Sequence, residues 1–393
     1  MLREKRWILF CLLFAFTGLF AAPTQAAENT DPVYQGMKYR LDAATEEITI
    51  TGYTADVAWN LEIPLEIDGK KVTAIAKYAF SESRIRSVTL NENMISIGAG
   101  AFYQCKDLEQ VKMADSITTI GEMAFFECPN LYSIRIPGGV KEIGYDAFKN
   151  CERLSYVTIE TGVQTISHCV FSGCSSLEEI AIPDSVTSIG ARAFENCTKL
   201  KKVDMPDQVT VIGTDKEVCD KAHWGPLASY DPNAYKNASK NEGGTFQGCS
   251  ALTEIHLPKN LETIHINTFK DCSALKTITI PGSVKTIEEY AFQGCRGLLE
   301  LTISDGVDKI DIYAFKDCTS LTKVEIPDSV TAMGSSREVS MPIGGSVKPP
   351  DKDMGGIFEG CTALASIRLS KNAEYIYPNT FTGCLNLNHV EIP

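Results

Sequence analysis

Histidine is scarce in this sequence, basic residues are outnumbered by acidic ones, and tryptophan occurs only three times. Each shortage removes a class of function. The five histidines (His168, His223, His256, His265 and His389) are scattered. None sits in a His-Glu-x-x-His pair and no paired Cys-x-x-Cys accompanies them, so nothing reads as a metal centre. A Gly-x-Ser-x-Gly elbow and a Walker-type phosphate loop are both missing. Acidic pairs such as Glu178-Glu179 and Glu288-Glu289 are sequence neighbours on exposed positions and do not make a general acid/base pair. No cofactor is called for, and the chain reads as a non-enzyme. With 37 Lys and Arg against 50 Asp and Glu, the net charge is −13, which argues against nucleic acid as a partner. Such a charge keeps an extended protein soluble.

Long apolar runs are also lacking, except at the start. Arg3, Lys5 and Arg6 precede an apolar stretch from Trp7 to Ala22, and small residues around Thr24-Gln25-Ala26 offer a cleavage site. This is the layout of a secretory signal peptide over residues 1–26, cleaved near Ala26/Ala27. The mature chain would be secreted or held at the cell surface, with no transmembrane segment left after cleavage. Losing three basic residues and one acidic residue deepens the net charge to −15.

What is abundant is repetition. Phenylalanines fall at 80, 102, 125, 148, 171, 194, 246, 269, 292, 315, 358 and 381. Eight of the eleven intervals are 23 residues and the first is 22; the exceptions are 52 and 43. From Ile264 to Ile287 the unit reads Ile264, Phe269, Cys272, Leu275, Ile278, Ile280, Pro281, Val284. Residues 277–280 alternate polar and apolar, as a half-buried strand does. Pro281 recurs as Pro137, Pro183, Pro206, Pro258 and Pro327. A proline cannot donate to a ladder, so it ends pairing at one register. One unit cannot bury its own apolar face, so successive units must stack. The expected fold is a leucine-rich-repeat solenoid, mainly β with short helical or 3-10 turns. About twelve coils would make a body roughly 55 Å long.

The same residues carry a family resemblance. Ile189-Gly190, Ala193-Phe194, Cys197, Leu200 and Val203 follow the pattern Ile-Gly-x-x-Ala-Phe-x-x-Cys-x-x-Leu-x-x-Val, which resembles the BspA-type repeat over residues 63–393. That resemblance implies a surface-associated or secreted adhesin, and some proteins of this kind bind components of a host's extracellular matrix.

Residues 27–62 read as a strand-turn-strand β cap over the first coil, with Tyr39, Leu41, Ile48, Ile50 and Tyr53 alternating. The sequence stops at Glu391-Ile392-Pro393, where a repeat strand ends, leaving either an open coil or a truncated gene. Eleven of the fourteen cysteines occupy one repeat position and should form a column of buried thiols. Parallel side chains suit a disulfide badly. Cys11 leaves with the signal peptide, so Cys169 and Cys219 are the two left outside the register, and a bridge between them stays open.

Two places could recognise a partner. The strand face presents polar residues of both signs, such as Lys202/Asp204 and Lys323/Glu325, nearly without aromatics, and reads as a solvated face. The other place is a pair of insertions, about 214–243 and 335–356, entering at one register after Ile212-Gly213 and Met333-Gly334. The first holds His223, Trp224, Tyr230 and Tyr235, and the second holds Met341. These five are the candidate partner-binding residues, since long insertions in a metric repeat map to one face. The expected function is adhesion or binding to an extracellular protein or glycan. The alternatives are a scaffold that coats the cell or holds an enzyme, and a hydrolase with its site in the first loop.

Overall fold

A computed structural model describes residues 31–213, 243–334, 356–373 and 375–393. Residues 1–26, read from sequence as a signal peptide, and all five candidate binding residues (His223, Trp224, Tyr230, Tyr235 and Met341) lie outside those ranges. The chain winds into a β-solenoid of about thirteen turns.

Each turn has three sides. The first is a two-residue strand ending in Ile or Met, such as Ser188–Ile189 or Thr286–Ile287. The second is the leucine-rich strand, such as Thr277–Ile280, which stops where Pro281 begins a turn closed by the Val284 N–H on the Pro281 carbonyl. Both kinds pair in parallel and in register with the next turn, Ile264 with Ile287 and Ile278 with Leu301. The third side carries the phenylalanine.

Short helical or 3-10 turns were expected between the strands of the solenoid. Among the described residues there is no helix. The reason is local: the residues two before and two after each of the twelve phenylalanines have positive φ, for example Arg192 at 55° and Asn196 at 58°. A 3-10 run needs consecutive right-handed residues. Instead, N–H groups alternately close four-residue turns and cross to the next coil. Ala101 and Tyr103 donate to the Gly98 and Gly100 carbonyls, while Phe102 and Gln104 donate to Ala124 and Phe126. A left-handed conformation costs a non-glycine residue roughly 1–2 kcal/mol, and the cross-coil bonds offset it.

Inside, the phenylalanines are fully buried from Phe80 to Phe358, and their rings stack face to face. Phe125 and Phe148 have centroids 5.2 Å apart and planes within 3°. Beside them runs the thiol column. Each cysteine donates to the phenylalanine carbonyl of the preceding coil, Cys128 to Phe102 at 3.1 Å and Cys197 to Phe171 at 3.2 Å. That carbonyl also accepts its own coil's cysteine N–H, as Phe194 does from Cys197. The twelve cysteines that the structure describes are free. Cys169 is among them, while Cys219 lies outside the described residues. Burial pushes the thiol of Cys151 up to about 12 and raises Cys174, Cys197 and Cys249 well above their ordinary value.

At the N-terminal end, Val33–Tyr34, Met37–Leu41 and Ile48–Tyr53 form an antiparallel meander. Its last strand lies parallel to Lys70–Ile75, which pairs with the first repeat strand Ser96–Ile97. Tyr53 stacks on Phe80 at 6.1 Å and so extends the ring column by one member.

Candidate functional site

The residue directly after each short strand turns a corner. It is glycine at 98, 121, 144, 190, 213 and 334, and serine at 167. The reason is crowding: a Cβ on Gly121 would lie 2.5 Å from the Ala99 nitrogen, and one on Gly190 2.7 Å from that of His168. Gly213 and Gly334 are also the last described residues before the two insertions, so both insertions leave the same edge of the solenoid.

The core runs past both departures without losing register. Phe194 stacks on Phe246 at 5.4 Å and 3°, and Phe315 on Phe358 at 5.6 Å and 8°. Cys249 donates to Phe194 and Cys361 to Phe315, as in ordinary coils. Strand Lys202–Asp204 pairs with Glu254–Ile255, and Lys323–Glu325 with Ser366–Arg368. Only the short-strand ladder gives way: its first sheet ends at Val211–Ile212 and a new one starts at Thr263–Ile264. Polar clamps hold the coils together there. Asp207 accepts the Lys259 N–H and ammonium while Asn260 donates to the Asp207 carbonyl. Asp328, Lys371 and Asn372 repeat the arrangement at the second insertion.

Between the two departures the corner position changes character. His265, Glu288 and Asp311 replace glycine in three successive coils. His265 is 8% and Asp311 4% exposed. The Glu288 carboxylate lies 3.3 Å from His265 Nδ1 and accepts the Ile266 N–H at 2.8 Å. Burial alone would push this carboxyl up. The His265 hydrogen bond and charge, with the Ile266 N–H, outweigh it and hold Glu288 below its ordinary value. Lys309 lies 3.5 Å from Asp311.

Two residues further on, Asn267, Tyr290 and Tyr313 occupy the left-handed position. Tyr290 and Tyr313 stack at 5.3 Å and 8°, with the ammonium of Lys270 over one ring and that of Lys316 over the other. The buried Asn267 Oδ1 has no hydrogen-bond partner. On the far side of the first departure, burial pushes the His168 imidazole below its ordinary value, against the pull of Asp146 and Glu142. The result is a polar and aromatic strip three coils long, bracketed by the two insertions. An ammonium lies over each of the two stacked rings, and the imidazole–carboxylate pair is committed to each other and to the backbone. No cluster of three His, Cys, Asp or Glu among the described residues is disposed to hold a metal ion.

This strip was not singled out from the sequence. The available signal was the loss of the corner glycine at 265, 288 and 311, between the two departures.

The strand face is polar, and its charges are largely paired on the surface: Lys202 with Asp204 at 2.9 Å, Lys323 with Glu325 at 2.6 Å, and Arg135 with Glu160 at 2.7 Å. No helix among the described residues is long and apolar enough to cross a membrane.

Comparison with known proteins follows the same architecture. The family described as the BspA type leucine rich repeat region matches residues 60–178, 141–216, 240–337 and 355–393. Among solved structures, a leucine rich cell surface protein from Faecalibacterium prausnitzii is similar, with 24% identity and a TM-score of 0.50 over 92% of this chain and 94% of that one. A leucine-rich repeat protein from Bacteroides ovatus has 23% identity and a TM-score of 0.51 over the same shares of the two chains. No curated protein sequence matches the chain.

Proposed function

Since the chain belongs to the BspA-type leucine-rich repeat family, we propose that it is an exported, non-enzymatic recognition protein that binds an extracellular protein through its insertion-bearing edge. Members of this family are typically bacterial surface or secreted proteins, and such repeats generally bind or scaffold. The basic and apolar residues 1–26 support export, and an intact mass starting near Ala27 is the expected product.

One observation carries the reading. Both insertions leave from the same corner, at Gly213 and Gly334, four turns or about 19 Å apart. The strip between them is where the corner glycines give way to His265, Glu288 and Asp311 and where Tyr290 and Tyr313 stack. Drifting loops would have no reason to bracket such a strip. In this reading Trp224, Tyr230 and Tyr235 are the anchors, with His223 and Met341 beside them, because rigid aromatics dominate interface energetics.

The test is a pull-down from extracellular extracts with the mature chain, set against a chain whose residues 214–243 are replaced by a short Gly-Ser link. The register of the phenylalanine stack across this insertion means the shortened chain should fold. It should lose the partner, and Trp224→Ala alone should weaken binding by about tenfold or more. The charge swap Lys202→Glu with Lys323→Glu should leave binding intact. If the swap abolishes binding and the excision does not, the strand face is the recognition surface and this reading fails.

A further inference from the structure

The strand face is not evenly polar. Within its first five turns stand three exposed rings: Trp59 at 60%, Tyr132 at 45% and Tyr156 at 61% exposure. Backbone hydrogen bonds align them. Arg86 N–H donates to the Trp59 carbonyl at 2.7 Å, Glu109 to Arg86 at 2.7 Å, and Tyr132 to Glu109 at 3.1 Å. Trp59, Arg86, Glu109 and Tyr132 therefore form one column across four successive turns. The Arg86 guanidinium lies over the Trp59 ring at 5.0 Å. Tyr156, in the fifth turn, meets Tyr132 edge-on with centroids 5.2 Å apart and planes at 67°.

Large rings left in water need a reason, because burying them elsewhere would be favourable. A protein partner fits poorly. Its hot spots need a contiguous patch from which water is driven out. Here Arg86, Glu109 and Gln110 stand between the rings and would have to be desolvated. A sugar fits well. The C–H face of a pyranose stacks on an aromatic ring, while its hydroxyls accept hydrogen bonds from groups such as Arg and Gln and donate to Glu on either side. Two nearby cations are internally engaged, Arg86 on the indole and Arg135 with Asp115 and Glu160. The chain as a whole is acidic. Both points favour a neutral polymer over an acidic one. A surface that repeats about every 4.8 Å along the axis also suits a ligand built from equal units laid along it.

We infer that the column Trp59–Arg86–Glu109–Tyr132, with Tyr156, is a second binding site, for an extended neutral polysaccharide. It is separate from the insertion-bearing edge and does not depend on that edge's function.

Affinity electrophoresis tests it. The mature chain is run through native gels containing hydroxyethylcellulose, xylan, glucomannan or a soluble β-1,3-glucan. At least one gel should retard it. Trp59→Ala should weaken that retardation by about tenfold, as expected for loss of a stacking anchor, and Trp59→Ala with Tyr156→Ala should abolish it. Because the rings are exposed, both variants should melt as the parent does. Leu299→Ala, which removes an exposed apolar side chain further along the face, should be retarded like the parent. Free migration in all four gels overturns the inference, as does undiminished retardation of the double variant. Retardation lost only when residues 214–243 are excised would move the sugar site to the insertions and overturn it equally. Loss of the insertion-edge protein partner in Trp59→Ala, with no response to any polysaccharide, would make the column a protein site.

Discussion

Truncating one ring in the middle of the rod and one at its end should give very different losses. Phe269 is fully buried, with Phe246 at 5.5 Å on one side and Phe292 at 5.1 Å on the other. Phe269→Ala should cost about 3–5 kcal/mol. Ring–ring contact, about 0.5–1.5 kcal/mol per pair, is lost on both faces. Phe381 is half-buried and has one ring neighbour, Phe358, at 6.3 Å. With one face and part of the burial, Phe381→Ala should cost about 1–2 kcal/mol. The informative third variant is Phe194→Ala. Its upper neighbour, Phe246, lies beyond the first insertion in sequence yet stacks at 5.4 Å, within the range of the uninterrupted pairs. If the stack is one cooperative column, Phe194→Ala should match Phe269→Ala. Guanidinium melts read the losses as shifts in midpoint at constant slope. Equal losses at Phe269 and Phe381 would refute the nearest-neighbour argument. A Phe194 loss as small as that of Phe381 would mean that the insertion ends the column.

Other measurements bear on single features. Alkylation of the native protein should reach Cys384 first within the column, since it is half-buried where the other column cysteines are buried, while the inner column stays unmodified. Unfolding without reductant should then expose the eleven column thiols; finding them blocked would replace the hydrogen-bonded column with disulfides. Burial holds the folded His168 below its ordinary 6.5, so the folded state binds fewer protons than the unfolded chain. Its stabilising contribution is intact above pH 6.5 and falls as the pH drops below it. His168→Asn should flatten that part of the profile, and an unchanged slope between pH 7.5 and 5.5 would contradict it. Asn260→Ala, which removes the clamp on the Asp207 carbonyl, should cost about 0.5–1.5 kcal/mol. It should speed amide exchange near Thr263–Ile264, and unchanged exchange there would show that the clamp carries no strain.

The periodic part of the fold was readable from sequence because each column has its own residue type. Phenylalanine, cysteine, leucine and isoleucine recur at fixed spacing, and each proves to be a buried column. The solenoid was read correctly, but its turns were expected to include short helical or 3-10 pieces, because backbone conformation leaves a weaker trace. The position two after each phenylalanine favours Asn196, Asp271 or Gly294, residues tolerant of positive φ. The position two before tolerates Met123, Arg192 and Tyr290, which hide the same conformation. The thiol's partner was invisible because it is a carbonyl, and backbone groups carry no signature in composition. The strand face was read as nearly without aromatics because Trp59 and Tyr132 lie one residue ahead of its strands, outside the positions that alternate. The five loop residues fall outside the described ranges, and their role rests on the proposed function.

The bonds joining one turn to the next run along the axis of the rod, so a pull on its two ends loads them a turn at a time. Such bonds unzip in sequence and do not shear together. A turn that lets go gives up about 5 Å of rod and releases 23 residues, about 80 Å of extended chain. The molecule is therefore built to lengthen under tension without tearing, and at constant pulling speed it should record a plateau of force in place of a single peak.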